Sequence, residues 1–332
     1  MKTVFKKGEE FLIKDTEIRD AEAGEIRLKV DASGICGTDL HKKEGDVKER
    51  RFGHEVAGTI VALGAGVTGL ELGQKVALDS STPCGRCANC KNARQELCTN
   101  VQSLFKSGLF GMAEETIAPA ISAVPFEGVS PEVACLQEPL GVAIDMVRLA
   151  DIGIDSNVLV IGPGAIGLMA VALAKRAGAR RIFVSGHRRR TRRVELAKDF
   201  GADHFVEADE LDPEKPDFGC RIDRVMVTAP PRTLVDAFKI ACKGGIVSFI
   251  GIEHGEGGNC TFDANAFHFK KLQLRASFAS PALFGPKAIR YLCEGVVNGE
   301  ALVSHRYPLE EMAAAVETAR SDPSAVKVVI TP

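Results

Sequence analysis

The sequence predicts an α/β protein with a mainly β-stranded first part and, in its second part, a parallel sheet covered by helices. In the first part, residues 24–35 and 56–64 alternate apolar and polar side chains or run through β-branched ones, a pattern typical of strands. From residue 157 onward, short apolar segments alternate with helical ones, which favours a parallel sheet with both faces covered. The 332 residues are enough for two domains with separate cores.

The elements of the first part follow in order. A further strand is predicted over 73–78, a loop with four cysteines comes next, and residues 103–120 are predicted to form a loop followed by a strand. Residues 131–150 have helical spacing and begin with Pro131. Proline suits the first turn of a helix, where the backbone N–H groups have no partner inside the helix.

The second part begins with NVLVIGPGAIGLMAVALAKRAG at 157–178, which contains a short apolar strand, a glycine-rich turn and a helix. The alternation continues with predicted strands at 180–186, 224–230 and 246–252 and predicted helices at 194–202 and 234–245. Helical patterns at 282–300 and 309–322 then precede a last strand at 325–330.

Composition and charge exclude several classes of protein. Hydrophobic residues make up 45% and charged residues 26%, as in an ordinary soluble globular protein. The 42 Lys and Arg against 44 Asp and Glu give a net charge of −2, so nothing drives general binding to nucleic acid or an anionic membrane. No segment has a signal peptide's apolar core or the roughly 20 apolar residues of a membrane span. We therefore expect a cytoplasmic protein with reduced thiols.

Four cysteines lie close together in STPCGRCANCKNARQELC, at Cys84, Cys87, Cys90 and Cys98. Disulfides, a redox pair, a metal site and scattered surface thiols are the candidates. A reducing compartment disfavours disulfides, and a redox pair needs only two cysteines. Four thiolates within 15 residues suit a tetrahedral structural zinc ion that has no open position.

The segment VIGPGAIG places Gly162, Gly164 and Gly167 in G-x-G-x-x-G spacing between a predicted strand and a predicted helix. In that context the first glycine makes a tight turn, the second lets a pyrophosphate approach, and the third allows close packing of helix and strand. The helix N-terminus adds amide donors for phosphate. The segment therefore predicts a dinucleotide site in preference to a plain strand–helix turn.

The residues after the next strand bear on the choice between NAD and NADP. A carboxylate there would accept a hydrogen bond from the ribose 2′-OH and repel a 2′-phosphate. The chain instead has Ser185, Gly186 and His187, followed by five arginines, at 188, 189, 190, 192 and 193. Guanidinium groups bind phosphate through forked donors, so we predict NADP in preference to NAD. The alternative is a solvated basic face at the start of a helix.

A second set of potential metal ligands and proton carriers is spread along the first part: Cys36, Thr38, Asp39 and His41 in GICGTDLH, His54 and Glu55 in GHE, and Glu138 in QEPLGVA. Each one alone would by default be a buried cysteine, a core histidine or a capping carboxylate. Together, thiolate, imidazole and carboxylate form the donor set of a catalytic zinc ion with an open fourth position.

These motifs resemble those of the zinc-dependent medium-chain dehydrogenases/reductases of the alcohol dehydrogenase superfamily, and in particular the sorbitol (polyol) and threonine dehydrogenase branch. The similarity covers nearly the whole chain, through GICGTDLH, GHEVAG, the four-cysteine lobe, EPLGVA, GPGAIG and the terminal KVVI. It implies a GroES-like, mainly β catalytic domain at 1–138 with the zinc lobe at about 80–100, a doubly wound Rossmann domain at 139–278, and a return to the catalytic domain at 279–332.

The resemblance also implies roles for individual residues. Cys36 and His54 match ligands of the catalytic zinc, and Glu55 and Glu138 match two carboxylates, of which either ligates the metal directly or acts through water. Thr38 and His41 match a proton relay. Asp39 matches an acid that orients the zinc-bound histidine. Cys84, Cys87, Cys90 and Cys98 match the structural zinc lobe. The predicted cofactor-binding residues are Gly162, Gly164, Ala165, Ile166, Gly167, Ser185, Gly186, His187, Arg188, Arg193, Thr228, Ile250, Gly251, Ile252, Ser277 and Phe278.

The expected activity is hydride transfer between NAD(P) and a secondary alcohol or ketone of a polyol, sugar derivative or related small hydroxy compound. The alternatives are a threonine-type dehydrogenase and a non-catalytic nucleotide-binding sensor of the same fold. Ala279 and Ser280 stand where sorbitol dehydrogenases carry an Arg-Tyr pair, which argues against sorbitol itself. The basic residues around 42–51 either attract an anionic substrate or form a solvated loop. The family implies a homo-oligomer, a dimer or tetramer.

Overall fold

The computed structural model describes residues 1–40, 48–104, 108 and 110–332, and the chain divides into two compact units. Unit 1 consists of Met1–Gly141 and Ala279–Pro332, and unit 2 of Val142–Phe278. His41 and the lysines at 42 and 43 lie outside the described residues. None of the described helices is long and apolar enough to cross a membrane.

The strands within the described residues are β1 (Lys2–Lys7), β2 (Glu10–Asp15), β3 (Glu25–Gly34), β4 (Arg50–Arg51), β5 (Glu55–Leu63), β6 (Lys75–Leu78), β7 (Ser81–Thr82), β8 (Gln102–Ser103), β9 (Glu115–Pro119), β10 (Ala123–Pro125), β11 (Asn157–Ile161), β12 (Arg181–Gly186), β13 (His204–Glu207), β14 (Arg224–Val227), β15 (Ile246–Phe249), β16 (Gln273–Ala276), β17 (Val303–Pro308) and β18 (Lys327–Thr331).

The α-helices of the same residues are α1 (Gly37–Leu40), α2 (Ala88–Lys91), α3 (Pro131–Ala134), α4 (Gln137–Ala150), α5 (Ala165–Arg176), α6 (Thr191–Asp199), α7 (Leu234–Ile240), α8 (Ala264–Lys270), α9 (Gly285–Cys293), α10 (Gly299–Leu302) and α11 (Met312–Ser321). Short 3₁₀ turns lie at Gln95–Leu97, Ala120–Ser122, Pro231–Thr233, Gly255–Gly258 and Leu309–Glu311.

Unit 1 is built around a seven-stranded sheet of order β10-β6-β5-β3-β18-β17, with β9 also paired to β3. The long strand β3 buries Ile26, Leu28 and Val30, because alternate side chains of a strand point to the same face. At the end of β3, Gly34 lies opposite Glu55 of β5 and opposite Val329 of β18. The sheet therefore brings together three segments that are far apart in the sequence.

Unit 2 contains a six-stranded parallel sheet of order β13-β12-β11-β14-β15-β16. Val158, Leu159 and Val160 of its central strand β11 are fully buried, as in a parallel sheet covered on both faces. The chain reverses its direction of travel across the sheet between β11 and β14, which leaves a crevice at their carboxyl ends where ligands of such sheets bind. The predicted α/β class is confirmed.

Two of the predicted helices are interrupted. The helix predicted over 131–150 is split into α3 and α4, because Pro139 has no N–H to donate to the carbonyl of Cys135 and instead occupies the first turn of α4. The helical segment 282–300 ends at α9 near Gly295, whose φ of +69° terminates a helix readily. Both breaks come from backbone chemistry that the apolar spacing alone does not reveal.

Candidate active site

Three predicted metal ligands meet at the end of β3 in unit 1. Cys36 follows β3, His54 precedes β5, and Glu55 is the first residue of β5. One ligand atom from each of these residues lies within 4.8 Å of the other two. A thiolate, an imidazole and a carboxylate at this separation fit a zinc ion with one open position.

Glu55 is buried (1% exposed) and forms an ion pair with the buried Lys327. Lys327 Nζ donates to the two Glu55 carboxylate oxygens at 2.7 and 2.5 Å and to the carbonyl oxygen of Ile35 at 3.2 Å. Gly34 makes room for this pair, since a Cβ there would overlap Glu55 Oε2. Burial is the largest single influence and lowers the pKa of Lys327, but the charges of Glu55 and Cys36 and the hydrogen bond to Glu55 together outweigh it, so the pKa is raised.

Asp39 lies behind His54. Its Oδ2 accepts a hydrogen bond from the Cys36 N–H at 3.0 Å, and its Oδ1 is 3.9 Å from His54 Nδ1. Burial raises the pKa of Asp39. Burial would lower the pKa of His54, but hydrogen bonding to Cys36 and the charges of Cys36 and Asp39 raise it well above its ordinary value.

Glu138 stands in the first turn of α4 and lies outside the 4.8 Å group. Ser80 Oγ donates to Glu138 Oε1 at 2.9 Å, and burial raises the pKa of Glu138. The adjacent Gln137 donates through Nε2 to Asp79 Oδ1 at 2.5 Å. The Asp79–Ser80 segment thus holds the beginning of α4 through two side-chain hydrogen bonds.

Of the two predicted proton-relay residues, the structure describes one. Thr38 lies on α1, with an exposed side chain, two residues after Cys36. His41 lies outside the described residues, so its predicted role stays a prediction.

The four cysteines of the predicted lobe come together around α2. One sulfur from each of Cys84, Cys87, Cys90 and Cys98 lies within 4.8 Å of the others, and all four thiols are free. The backbone N–H groups of Cys90 and Thr99 lower the pKa of Cys87 to about 5, which favours the thiolate that ligates metal. The donor set and spacing fit a closed tetrahedral zinc site.

The glycine turn of unit 2 connects β11 to α5. Gly162 has a φ of +99°, which L side chains rarely adopt, and a Cβ on Gly167 would overlap the Gly162 carbonyl oxygen. Gly164 is the N-cap of α5, so Ala165, Ile166 and Gly167 form its first turn. The backbone N–H groups of such a turn are suited to a pyrophosphate.

The remaining predicted cofactor residues lie at the same carboxyl edge of the sheet, because each follows or ends a parallel strand. Ser185 and Gly186 end β12 and His187 and Arg188 follow it; Thr228 follows β14; Ile250, Gly251 and Ile252 follow β15; Ser277 and Phe278 follow β16; Arg193 lies on α6. Two hydroxyls already have partners: Thr228 Oγ1 donates to the Gly162 carbonyl, and Ser277 Oγ donates to Asp145 Oδ2 at 2.6 Å. The hydroxyls of Thr228 and Ser277 therefore stabilise the loops at this edge of the sheet.

Some residues that contact the predicted site residues were not predicted from the sequence, among them Lys327, Ser80 and Glu207. Lys327 had a detectable signal, because a lysine inside the apolar strand AVKVVI is unusual in a core unless it is paired. Ser80 and Glu207 had none, since each acts through a partner far away in the sequence, Glu138 and His187 respectively.

A chain with a mixed thiolate, imidazole and carboxylate group in one unit and a nucleotide-type turn in the other belongs to the class of zinc- and NAD(P)-dependent dehydrogenases. Comparison with known proteins agrees: residues 22–128 match the alcohol dehydrogenase GroES-like domain and residues 165–291 the zinc-binding dehydrogenase domain. The chain belongs to this zinc-dependent alcohol dehydrogenase family, and the resemblance found in the sequence is confirmed.

Individual relatives cover nearly the whole chain. It is 30% identical over 323 residues to L-galactonate-5-dehydrogenase of Escherichia coli K12, with 93% of this chain and 92% of the relative covered. It is 31% identical over 305 residues to L-threonine 3-dehydrogenase of Pyrococcus horikoshii, with 86% and 84% covered. The solved structure of an alcohol dehydrogenase from Escherichia coli CFT073, complexed with NADH, superposes with a TM-score of 0.89 at 27% identity, covering 100% of this chain and 99% of that one.

Proposed function

We propose that this dehydrogenase interconverts a secondary alcohol and a ketone on a polyol or sugar acid, with NADP as the favoured nucleotide. The observation that carries the proposal is the group of Cys36, His54 and Glu55, whose ligand atoms lie within 4.8 Å of one another and whose donors suit a catalytic zinc ion. The similarity to L-galactonate-5-dehydrogenase supports a sugar-derived hydroxy compound as the substrate.

Glu55 is the better candidate for the third ligand, and Glu138 for a carboxylate that acts through water. A Glu55 oxygen belongs to the 4.8 Å group, whereas Glu138 lies outside it. Lys327 offsets the charge of Glu55, so an ion held by Cys36, His54 and Glu55 would retain part of its positive charge. Such a charge would favour the ionised form of a substrate hydroxyl.

The chain's own residues have distinct tasks in the proposed reaction. When bound, zinc lowers the pKa of the substrate hydroxyl and the nicotinamide accepts the hydride. Asp39 holds the His54 ring in orientation, and the Thr38 hydroxyl takes the substrate proton and passes it to His41. Cys84, Cys87, Cys90 and Cys98 would hold a second zinc ion, which would stabilise their lobe.

The arginines after β12 support NADP. Burial and the charge of Arg190 lower the pKa of the half-buried Arg193 to about 10, so two guanidinium groups that stay protonated at neutral pH repel each other. A phosphate bound between them would relieve this repulsion through charge-assisted hydrogen bonds. Both residues lie at the carboxyl end of β12 or on the helix that follows, where the adenosine ribose binds in folds of this type.

The test is a metal and substrate assay on one preparation: zinc content per chain, then NAD⁺- and NADP⁺-dependent oxidation of a panel of polyols, sugar acids and L-threonine. We expect about two zinc ions per chain and turnover of a polyol or sugar acid with NADP⁺ preferred. The similarity to L-threonine 3-dehydrogenase favours L-threonine as the second candidate substrate. Nucleotide binding without turnover of any alcohol would contradict the proposal and favour a non-catalytic nucleotide-binding sensor of the same fold.

A homo-oligomer is also proposed. In unit 2, β16 is an end strand of the sheet, and an end strand offers unpaired backbone groups to a second copy. Large apolar side chains near it are exposed, including Phe269 (72%) and Phe278 (73%). Sedimentation equilibrium of wild type and Phe278→Asp tests this, since a monomeric wild type would contradict it. The many free thiols support a reducing, cytoplasmic location.

A further inference from the structure

We infer that His187 is a specificity-determining residue whose protonation state selects between the 2′-phosphate of NADP and the 2′-hydroxyl of NAD. This inference rests on the proposed nucleotide site and assigns that site a pH-dependent choice of nucleotide. It comes from the contacts of one ring nitrogen, which the sequence does not reveal.

His187 stands beside the glycine turn. It follows β12 directly, and the preceding Gly186 packs so closely on the turn that a Cβ there would lie 2.5 Å from Pro163 Cδ. The ribose-binding residue of a dinucleotide fold lies in this place, about 20 residues after the glycine turn. In the classical NAD-binding fold that residue is a carboxylate, and here it is an imidazole.

The Nδ1 atom of His187 is held by two carboxylates. It lies 3.2 Å from Glu207 Oε1 and 3.4 Å from Asp209 Oδ2. Hydrogen bonds from the Arg188 N–H and from His187 lower the pKa of Glu207, so this carboxylate is ionised and can only accept. The hydrogen between the two residues therefore sits on Nδ1, and Nε2 is the ring nitrogen left to face a ligand.

The state of Nε2 then decides which ribose group His187 can bind. In the neutral ring Nδ1 carries the single hydrogen, so Nε2 is an acceptor that suits the 2′-hydroxyl of NAD. In the imidazolium ring Nε2–H is a charged donor that suits the 2′-phosphate of NADP. Uptake of one proton turns an acceptor for one nucleotide into a donor for the other.

The charges around His187 come from its own loop, from β13 and from α6. Glu207 and Asp209 favour the imidazolium ring, whereas the cations Arg188, Arg190 and Arg193 disfavour it. Arg188 is partly withdrawn, since its Nη2 donates to the Phe205 carbonyl oxygen at 3.2 Å and its guanidinium group lies over the Phe205 ring. Histidine side chains in general change charge between about pH 5 and pH 8, and this sets the pH range of the experiment.

The same three side chains, His187, Glu207 and Asp209, also have ligand atoms within 4.8 Å of one another. A cation is nevertheless a poor occupant of this place. The two Glu207 oxygens already accept from the backbone N–H groups of Arg188 and Ala208, at 2.7 and 3.1 Å. The neighbouring arginines also repel cations and attract anions, so the contacts are better explained as the support of an anion-binding histidine.

The experiment measures the affinity of the full-length protein for two fragments, adenosine 2′,5′-bisphosphate and adenosine 5′-monophosphate, by calorimetry from pH 5.5 to 8.5. These fragments lack the nicotinamide, so the metal site does not enter the readout. The variant is His187→Asn, whose amide keeps a donor near the Nδ1 position and removes Nε2. His268→Asn, an exposed histidine on α8, is the matched control.

The readout is the affinity for the bisphosphate divided by the affinity for the monophosphate. In wild type, this ratio should be about 10-fold larger at pH 5.5 than at pH 8.5, after division by the same ratio measured for His187→Asn at each pH. That factor is the size of one charge-assisted hydrogen bond in partly exposed surroundings. This correction is needed because the 2′-phosphate itself ionises near pH 6, which changes its affinity for both wild type and variant. Asp209→Asn should move the change in preference to lower pH, because it removes a negative charge beside the ring.

The outcomes separate the two proposals. Parallel pH profiles in wild type and His187→Asn, with the bisphosphate still preferred, would overturn the role of His187 and leave the arginines as the NADP determinants. No preference for the bisphosphate at any pH would overturn the proposed NADP site itself. An unchanged unfolding midpoint of His187→Asn shows that its profile reports binding. If this variant fails to fold, Asp209→Asn provides the test. A change in preference at the same pH in Asp209→Asn and in wild type would also contradict the inference.

Discussion

The two candidate metal sites of unit 1 are built in opposite ways. The four cysteines of the lobe lie within Cys84–Cys98, and backbone N–H groups of the same segment stabilise at least one thiolate. The other site combines Cys36, His54 and Glu55 with Lys327, which lies 272 residues after Glu55. The four-cysteine lobe is a local site, because one loop supplies all its residues. The other is an assembled site: it depends on the buried Glu55–Lys327 ion pair, whose two residues are brought together by the sheet.

Lys327→Met should have the largest effect, because it leaves the Glu55 carboxylate buried without its partner. Removal of one member of a buried ion pair costs about 3–5 kcal/mol, so the free energy of unfolding should fall by that amount in urea titrations. Lys2→Met, which breaks an exposed pair with Glu310, is the control and should leave the free energy of unfolding nearly unchanged. Lys327→Met with Glu55→Gln should recover most of the loss. Equal stability of wild type and Lys327→Met would show that the assembled site does not depend on this ion pair.

Cys36→Ser should remove most of the turnover while nucleotide binding persists. Changes next to a metal ligand typically cost 10- to 100-fold, so loss of the ligand itself should lower kcat/KM by at least about 100-fold. The measurement pairs steady-state kinetics with fluorescence titration of NADPH. Cys293→Ser, an exposed cysteine on α9, is the matched control. Activity at the wild-type level in Cys36→Ser would refute the catalytic zinc assignment.

Cys87→Ser should affect stability more than chemistry, in contrast to Cys36→Ser. The lobe is mostly exposed, so loss of its metal should unfold it locally and lower the free energy of unfolding, by less than the Lys327→Met change does. Thermal melts and zinc content, again with Cys293→Ser as the control, measure this. A variant that melts like wild type and retains two zinc ions would contradict the structural role of the lobe.

The same contrast explains what could be predicted from the sequence. The lobe and the glycine turn were predictable because their spacing is local, and the strand–helix alternation predicted the parallel sheet. The assembled site was predictable as a set of residue types, but Lys327 and Ser80 were not, because their roles depend on pairings between β18, β3 and β5 and between Ser80 and α4. Strands β1 and β2 lie within residues 2–15; the first part was predicted to be mainly β-stranded, but these two strands were not predicted individually because their sequence is rich in charged residues.

Asp79 offers the smallest but most specific test of the assembled site, because its carboxyl is buried next to the segment that holds Glu138. Burial raises its pKa from 3.8 to about 6, so between these two values the folded state binds a proton that the unfolded state does not. Stability from this group is therefore fully present below the unfolded pKa and is lost as the pH rises through about 6. Asp79→Asn mimics the neutral form and keeps the acceptor for Gln137, so relative to this variant wild type should gain about 1.4 kcal/mol as the pH falls from about 7 to about 5. The exposed Asp155→Asn serves as the control for the charge change. If the free energies of unfolding of wild type and Asp79→Asn depended on pH in the same way, the pKa of Asp79 would not be raised. Water would then reach Asp79, and the surroundings of Glu138 would be more hydrated than the structure indicates.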